Sequence, residues 1–159
     1  MTHFCPSCWR TIRVSERQCR RCGADLAVLD QRGFTEKLRA ALRHPEPTVQ
    51  QRAVYALGER GELQAAGSLG DLLTSTRDQV LAADIAMALA TIGGHDAEVL
   101  LLRALEHRSF LVRLAAVQGL ARTSDGLAAV ALERAARDPS PSVRRLGREL
   151  EEQRRVESC

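Results

Sequence analysis

Beyond Asp30 the apolar residues recur at helical spacing, three and four apart. Val49, Ala53, Ala56 and Leu57 form one such stripe, and Leu63, Ala66, Leu69, Leu72 and Leu73 form the next. The pattern then repeats. Val49, Leu81, Val112 and Val143 are spaced 32, 31 and 31 residues apart. Leu57, Leu89 and Leu120 keep this register, as do Leu69, Leu101 and Leu132, and Leu73, Leu105 and Ala136. The pattern predicts a helix over 34–43, then pairs at 48–59/63–74, 79–92/96–107 and 109–122/127–137, and a terminal helix at 141–156. The punctuation agrees. Pro45, Pro47, Pro139 and Pro141 precede first helices, with Thr48, Asp78, Ser109 and Ser140 as candidate N-caps. Gly58, Gly61, Gly93 and Gly94 read as helix stops, and Ser124-Asp125-Gly126 as the third. One such unit cannot bury its own stripe, but stacked units can. The fold class expected is all-α: a right-handed α-solenoid of helix pairs over 31–159, preceded by a small module over 1–30.

The N-terminal module has a different logic. Four of the five cysteines fall within it, as Cys5-Pro6-Ser7-Cys8 and Cys19-Arg20-Arg21-Cys22-Gly23. A C-x2-C turn sets two thiolates at the separation a tetrahedral metal needs, and a second turn closes the site. Four thiolates leave no open position, which is the mark of a structural site, so one Zn2+ is the expected cofactor. Iron in the same donor set is the chemical rival, and disulfides are the other reading. Gly23 lets the chain turn back so that amides can face the sulfurs. Trp9 to Val14 alternates and reads as a small strand, with Ile12 and Val14 under the metal and Trp9 as either their lid, the preferred reading, or an exposed contact.

Two resemblances follow from these residues. The cysteine segment resembles the short zinc ribbon at the N-termini of many bacterial proteins, except that Trp9 stands where such ribbons often have Gly. The helical part resembles HEAT repeats, in the short form seen in phycobilisome lyases and bacterial adaptors. The carrying residues are Asp138-Pro139-Ser140-Pro141-Ser142-Val143-Arg144, Val112-Arg113-Leu114-Ala115-Ala116 and Ala56-Leu57-Gly58. The pattern's Arg is Gln50 in the first unit and Ala82 in the second, so weaker polar contacts between units are expected there. The resemblance implies a scaffold that binds protein. It does not transfer the lyase activity, because fold alone does not carry function.

Composition narrows the class. The chain has 159 residues with five aromatics, so its core must be built from Ala, Leu and Val, which suits close-packed helices. No apolar run would span a bilayer, and the N-terminus lacks a signal pattern, so a cytoplasmic location is expected. The formal charge is +3; four thiolates with one divalent cation lower it by two. Of the basic residues, 22 are Arg and only Lys37 is Lys.

No catalytic constellation emerges, and the expectation is that the chain is not an enzyme. His3, His44, His95 and His107 do not converge in sequence; His44 and His107 read as helix-end residues favourable to the dipole. No His-Glu dipeptide or phosphate loop is present. Cys159 reads as a free thiol. The expected partner is another protein, held as a peptide or helix in a groove of second helices. Two columns mark that groove: Asp71, Arg103 and Arg134, and beside them Arg43, Glu106 and Arg137. The terminal helix, with balanced charge, reads as a cap. In the module, Arg10, Arg13, Arg17, Arg20 and Arg21 either screen the thiolates, the preferred reading, or touch nucleic-acid phosphate. The leading expectation is a zinc-binding adaptor; the alternatives are a nucleic-acid accessory factor and an accessory subunit of an enzyme. The module is expected to pack on the first helix and cover the open end of the stack.

Overall fold

The computed structural model describes residues 3–13 and 15–157. Strands β1 (His3–Phe4) and β2 (Thr11–Ile12) pair antiparallel, with His3 opposite Ile12. The strand expected from Trp9 to Val14 is thus shorter, because Trp9 lies in a turn with φ 58°; Val14 is outside the described residues. Helix α1 (Leu26–Asp30) has no counterpart in the apolar pattern. Asp25 caps it, its side chain accepting from the amides of Ala27 (2.9 Å) and Val28 (3.3 Å). Helices α2 (Phe34–Ala41), α3 (Pro47–Glu59), α4 (Ala66–Ser75), α5 (Gln79–Ile92), α6 (Gly94–Ala104), α7 (Phe110–Leu120), α8 (Asp125–Ala136) and α9 (Pro141–Glu157) then follow the predicted order. A 3-10 turn, Leu63–Ala65, leads into α4.

The helices stack as an α-solenoid. The first helices of the units, α3, α5 and α7, lie side by side, and α9 completes the row against α7 and α8. Leu57, Leu89 and Leu120 are fully buried along this row, and Leu81, Val112 and Val143 follow their column into the core. Val49, first in that column, is only half-buried. The row is close because small residues face each other. A Cβ on Gly58 would lie 3.0 Å from Ala88, and one on Gly119 only 2.5 Å from the Cβ of Ala90. Gly58 is therefore a packing position inside α3 and not the helix stop its place suggested. The left-handed turns fall at Gly61, Gly93 and Gly94.

Second helices α4, α6 and α8 cover the row. Leu69 and Leu101 are buried as the period predicts, but the third unit is rotated: α8 buries Ala128, Ala131 and Ala135, while Leu132 is half-buried and Ala136 exposed. In an Ala-rich helix the faces are too alike for periodicity to fix the inward one.

Each unit joins the next through one device. His44, Thr76, His107 and Asp138 precede α3, α5, α7 and α9. Each side chain accepts a hydrogen bond from the amide two residues ahead: from Glu46 (2.9 Å), Asp78 (3.2 Å), Ser109 (3.1 Å) and Ser140 (2.7 Å). At His44 and His107 the acceptor is the ring Nδ1, so each imidazole shapes the turn that leads into the next helix. Burial, followed by the field of Arg108, holds His107 below the usual imidazole range.

Of the candidate caps, Asp78 accepts from the amides of Val80 and Leu81. Ser109 stands at the N-cap of α7 but its hydroxyl donates to Gln79 across the unit boundary. Thr48 lies within α3, which starts behind Glu46 with Pro47 in its first turn.

The Val-Arg positions carry the strongest polar contact. Arg113 reaches Asp138 with two hydrogen bonds, 2.7 and 2.8 Å, and donates to the carbonyls of His107 and Arg108. Arg144 donates to the carbonyls of Asp138 and Pro139. The bidentate bond from Arg113 holds the Asp138 carboxyl below its ordinary range, against the effect of burial.

Candidate metal centre

The thiols of Cys5, Cys8, Cys19 and Cys22 lie within 4.8 Å of one another. Cys5 and Cys22 sulfurs are 3.7 Å apart, as are those of Cys8 and Cys19. A tetrahedral ion with metal–sulfur bonds of about 2.3 Å sets its ligands about 3.8 Å apart along each edge. A disulfide would need about 2.05 Å, so this is the spacing of ligands. The donor set fits a metal ion.

The two C-x2-C turns are built alike. The amide of Trp9 donates to the carbonyl of Cys5 (2.7 Å), and that of Gly23 to the carbonyl of Cys19 (2.8 Å). The amide of Cys5 donates to the Arg10 carbonyl and that of Cys19 to the Ala24 carbonyl, both at 2.9 Å. Trp9 and Gly23 are thus equivalent, and both have positive φ, 58° and 72°. Glycine adopts this freely, whereas a side chain costs about 1–2 kcal/mol.

The sulfurs are not electrically equivalent. Amides of Cys22 and Arg21 face Cys19 and pull its thiol down to about 6. At Cys8 the Arg10 amide pulls the same way, but burial and the neighbouring thiols of Cys22, Cys19 and Cys5 outweigh it and push the thiol up to about 11. Four thiols this close cannot all ionise without a cation among them. A bound metal ion would supply that charge, and Cys5, Cys8, Cys19 and Cys22 are the residues that could hold it.

The tetrad touches the solenoid through Trp9. Its ring meets His44 edge-to-face, with centroids 4.6 Å apart. Its indole nitrogen is buried and meets no acceptor among the described residues. Of the roles expected for Trp9, the structure gives a contact: its ring meets His44 at the corner between α2 and α3. The side chain of His3 and the whole of Cys159 lie outside the described residues, so neither expectation about them bears on the centre.

Arg10, Arg13, Arg17, Arg20 and Arg21 are all exposed around the tetrad, and Arg20 pairs with Glu16 at 3.3 Å. All the expected partner residues but Arg103 fall into two clefts, one between α2 and α4 and one between α8 and the turn that follows α6. Arg43 and Asp71 line the first, of about 470 Å3, with Arg32, Glu36 and Arg39. Glu106, Arg134 and Arg137 line the second, of about 670 Å3, with Arg108 and Glu133. Arg103 is exposed and lines neither. Arg134 pairs with Glu106 across α6 and α8, and Arg137 with Glu133 at 3.0 Å. Periodicity missed Arg32 and Arg39, which lie before the first full unit. No helix among the described residues is long and apolar enough to cross a membrane.

Comparison with curated proteins gives no match. The family model described as HEAT repeats matches residues 20–90 and 68–150, overlapping segments that span the stack and begin inside the cysteine module. With most of its length matched, and with helix pairs stacked as that pattern requires, the chain belongs to the HEAT-repeat family.

Proposed function

We propose that the chain is a non-enzymatic, zinc-binding adaptor of the cytoplasm, in which the N-terminal ribbon (1–30) closes one end of a HEAT-repeat solenoid (31–159) that holds another protein. The observation that carries this reading is the pair of clefts beside α4 and α8. Each is open and lined by both signs of charge. Such a surface suits a polar peptide or helix crossing successive units. Zinc is the metal proposed for the tetrad because a closed four-thiolate site with no open position suits a redox-inert tetrahedral ion. Metal analysis of the purified protein tests that part: one zinc per chain supports it, and iron with its visible absorption replaces it.

The adaptor reading is tested by crosslinking and affinity capture from the native host after nuclease treatment. Arg43→Glu combined with Arg134→Glu places one reversed charge in each cleft. A specific protein that is captured by the wild type and lost by this variant, with the helical melt unchanged, supports the clefts as the contact. Capture unaffected by the variant moves the contact elsewhere.

A second reading rests on the exposed arginines of the ribbon. If Arg10, Arg13, Arg17, Arg20 and Arg21 contact phosphate, binding to RNA or DNA should fall steeply as salt rises. Weak, salt-insensitive binding leaves them as a screen for the thiolates.

A further inference from the structure

We propose that Trp9 is the element through which metal occupancy of the ribbon sets the stability of the first solenoid unit. This rests on reading the cysteine tetrad as a metal centre. Three observations converge on this residue. Trp9 is held at φ 58°, where its counterpart in the second turn is Gly23 at 72°. Its indole N–H is buried and meets no acceptor among the described residues. Its ring packs on His44, which is itself 6% exposed and uses Nδ1 to accept from the Glu46 amide at the start of α3. The first two features are unfavourable for the residue itself. They persist only where the surroundings over-determine them.

The surroundings here are the turn that the thiolate ligands close. Cys8 precedes Trp9, and the Trp9 amide is tied to the Cys5 carbonyl at 2.7 Å. With the metal in place, the turn fixes the left-handed backbone and delivers the ring to the α2–α3 corner. Without it, nothing favours φ 58° in a tryptophan. The backbone returns to the ordinary region, the indole N–H reaches water, and His44 loses its cover. The start of α3 is loosened, and with it the side of α3 that packs on α5. The far end of the stack, closed by α9, is not touched by this change.

The chain contains one tryptophan, so the contact reports on itself. Removing the metal should shift Trp9 emission to the red and lower the helical melting temperature by about 5 °C, on the scale of about 2–4 °C per kcal/mol for a chain of this size. Two variants test the coupling. Trp9→Gly removes the ring and suits the left-handed position. His44→Thr removes the ring's partner but keeps the turn acceptor, since Thr76 does the same work one unit on. Both should bind Co2+ with the visible spectrum of a tetrathiolate site, Trp9→Gly at least as tightly as the wild type. In both, chelation should leave the helical melt where it was, close to that of the metal-free wild type. A melt that drops on chelation as far in both variants as in the wild type would overturn the proposal, as would emission of Trp9 that ignores metal release. If the wild type shows no tetrathiolate spectrum with Co2+, the metal-centre reading itself fails, and the coupling with it.

Discussion

At the α9 end of the stack, Asp138 is 9% exposed, receives a bidentate guanidinium from Arg113, and caps the turn at Ser140. Arg144 ties the same turn from the other side, and Arg154 donates to the carbonyl of Ala121 at the end of α7 (2.7 Å). At the ribbon end, the equivalent turn holds His44, which makes the same backbone bond and is covered by the ring of Trp9. The position of Arg113 is occupied there by Gln50. The difference shows two ways of closing an open stack. One end is held by charge within the repeat itself. The other borrows a side chain from a module built around four clustered cysteines.

The sharpest way to break the comparison is at the tetrad. Cys19→Ser with Cys22→Ser should abolish the ribbon: amide signals of residues 3–24 should lose their dispersion, while most of the helical circular dichroism remains. Next is the charged end. Asp138→Ala leaves Arg113 facing a half-buried void and should cost about 3–5 kcal/mol in urea unfolding. Between the ends, Gly119→Val puts a branched side chain where a single Cβ already meets Ala90 at 2.5 Å, and should cost about 1–3 kcal/mol, seen as a lower melting temperature. His44→Thr at the ribbon end keeps its turn bond and should cost about 1 kcal/mol through the lost aromatic contact. Equal costs for Asp138→Ala and His44→Thr would erase the distinction between the ends.

Acid should act at the α9 end, where Arg113 joins Asp138 to the carbonyl of His107. The folded state holds Asp138 below its ordinary range, so its contribution is present above that range and is lost as pH falls through its depressed value. His107 is likewise held low, so its contribution is present above about pH 6.5 and fades as pH falls through its folded value. Urea midpoints measured from pH 7 downward should show a shallow decline first and a steep one later. Asp138→Asn should flatten the steep limb and leave the shallow one.

The helix pairs are legible because their apolar period is regular and their corners are marked by Pro and Gly. The cysteine tetrad is legible because C-x2-C spacing is short-range chemistry. What escapes depends on contacts between distant residues or on one role filled by different residue types. His44, Thr76, His107 and Asp138 form a column by function, accepting the same backbone bond, but no shared residue type reveals it. Trp9 and His44 are 35 positions apart, and neither residue type alone predicts the other. Helix α1 is five residues long, too short for a period. The inward face of α8 escapes because alanine lies on nearly every side of it. The partner residues named from the register fall in the clefts with the exception of Arg103, while Arg32 and Arg39 lie before the register begins.

The small side chains between α3, α5 and α7 have a mechanical consequence. Where Gly58 meets Ala88 and Gly119 meets Ala90, the backbones are already as near as atoms allow. This side of the molecule acts as a spine that resists compression. The opposite side, with clefts beside α4 and α8, is less tightly packed. The stack is therefore built like a leaf spring bound along one edge: flexing would fan the free edges of its leaves, and a guest seated between them, as proposed above, would be gripped or released without the spine having to move.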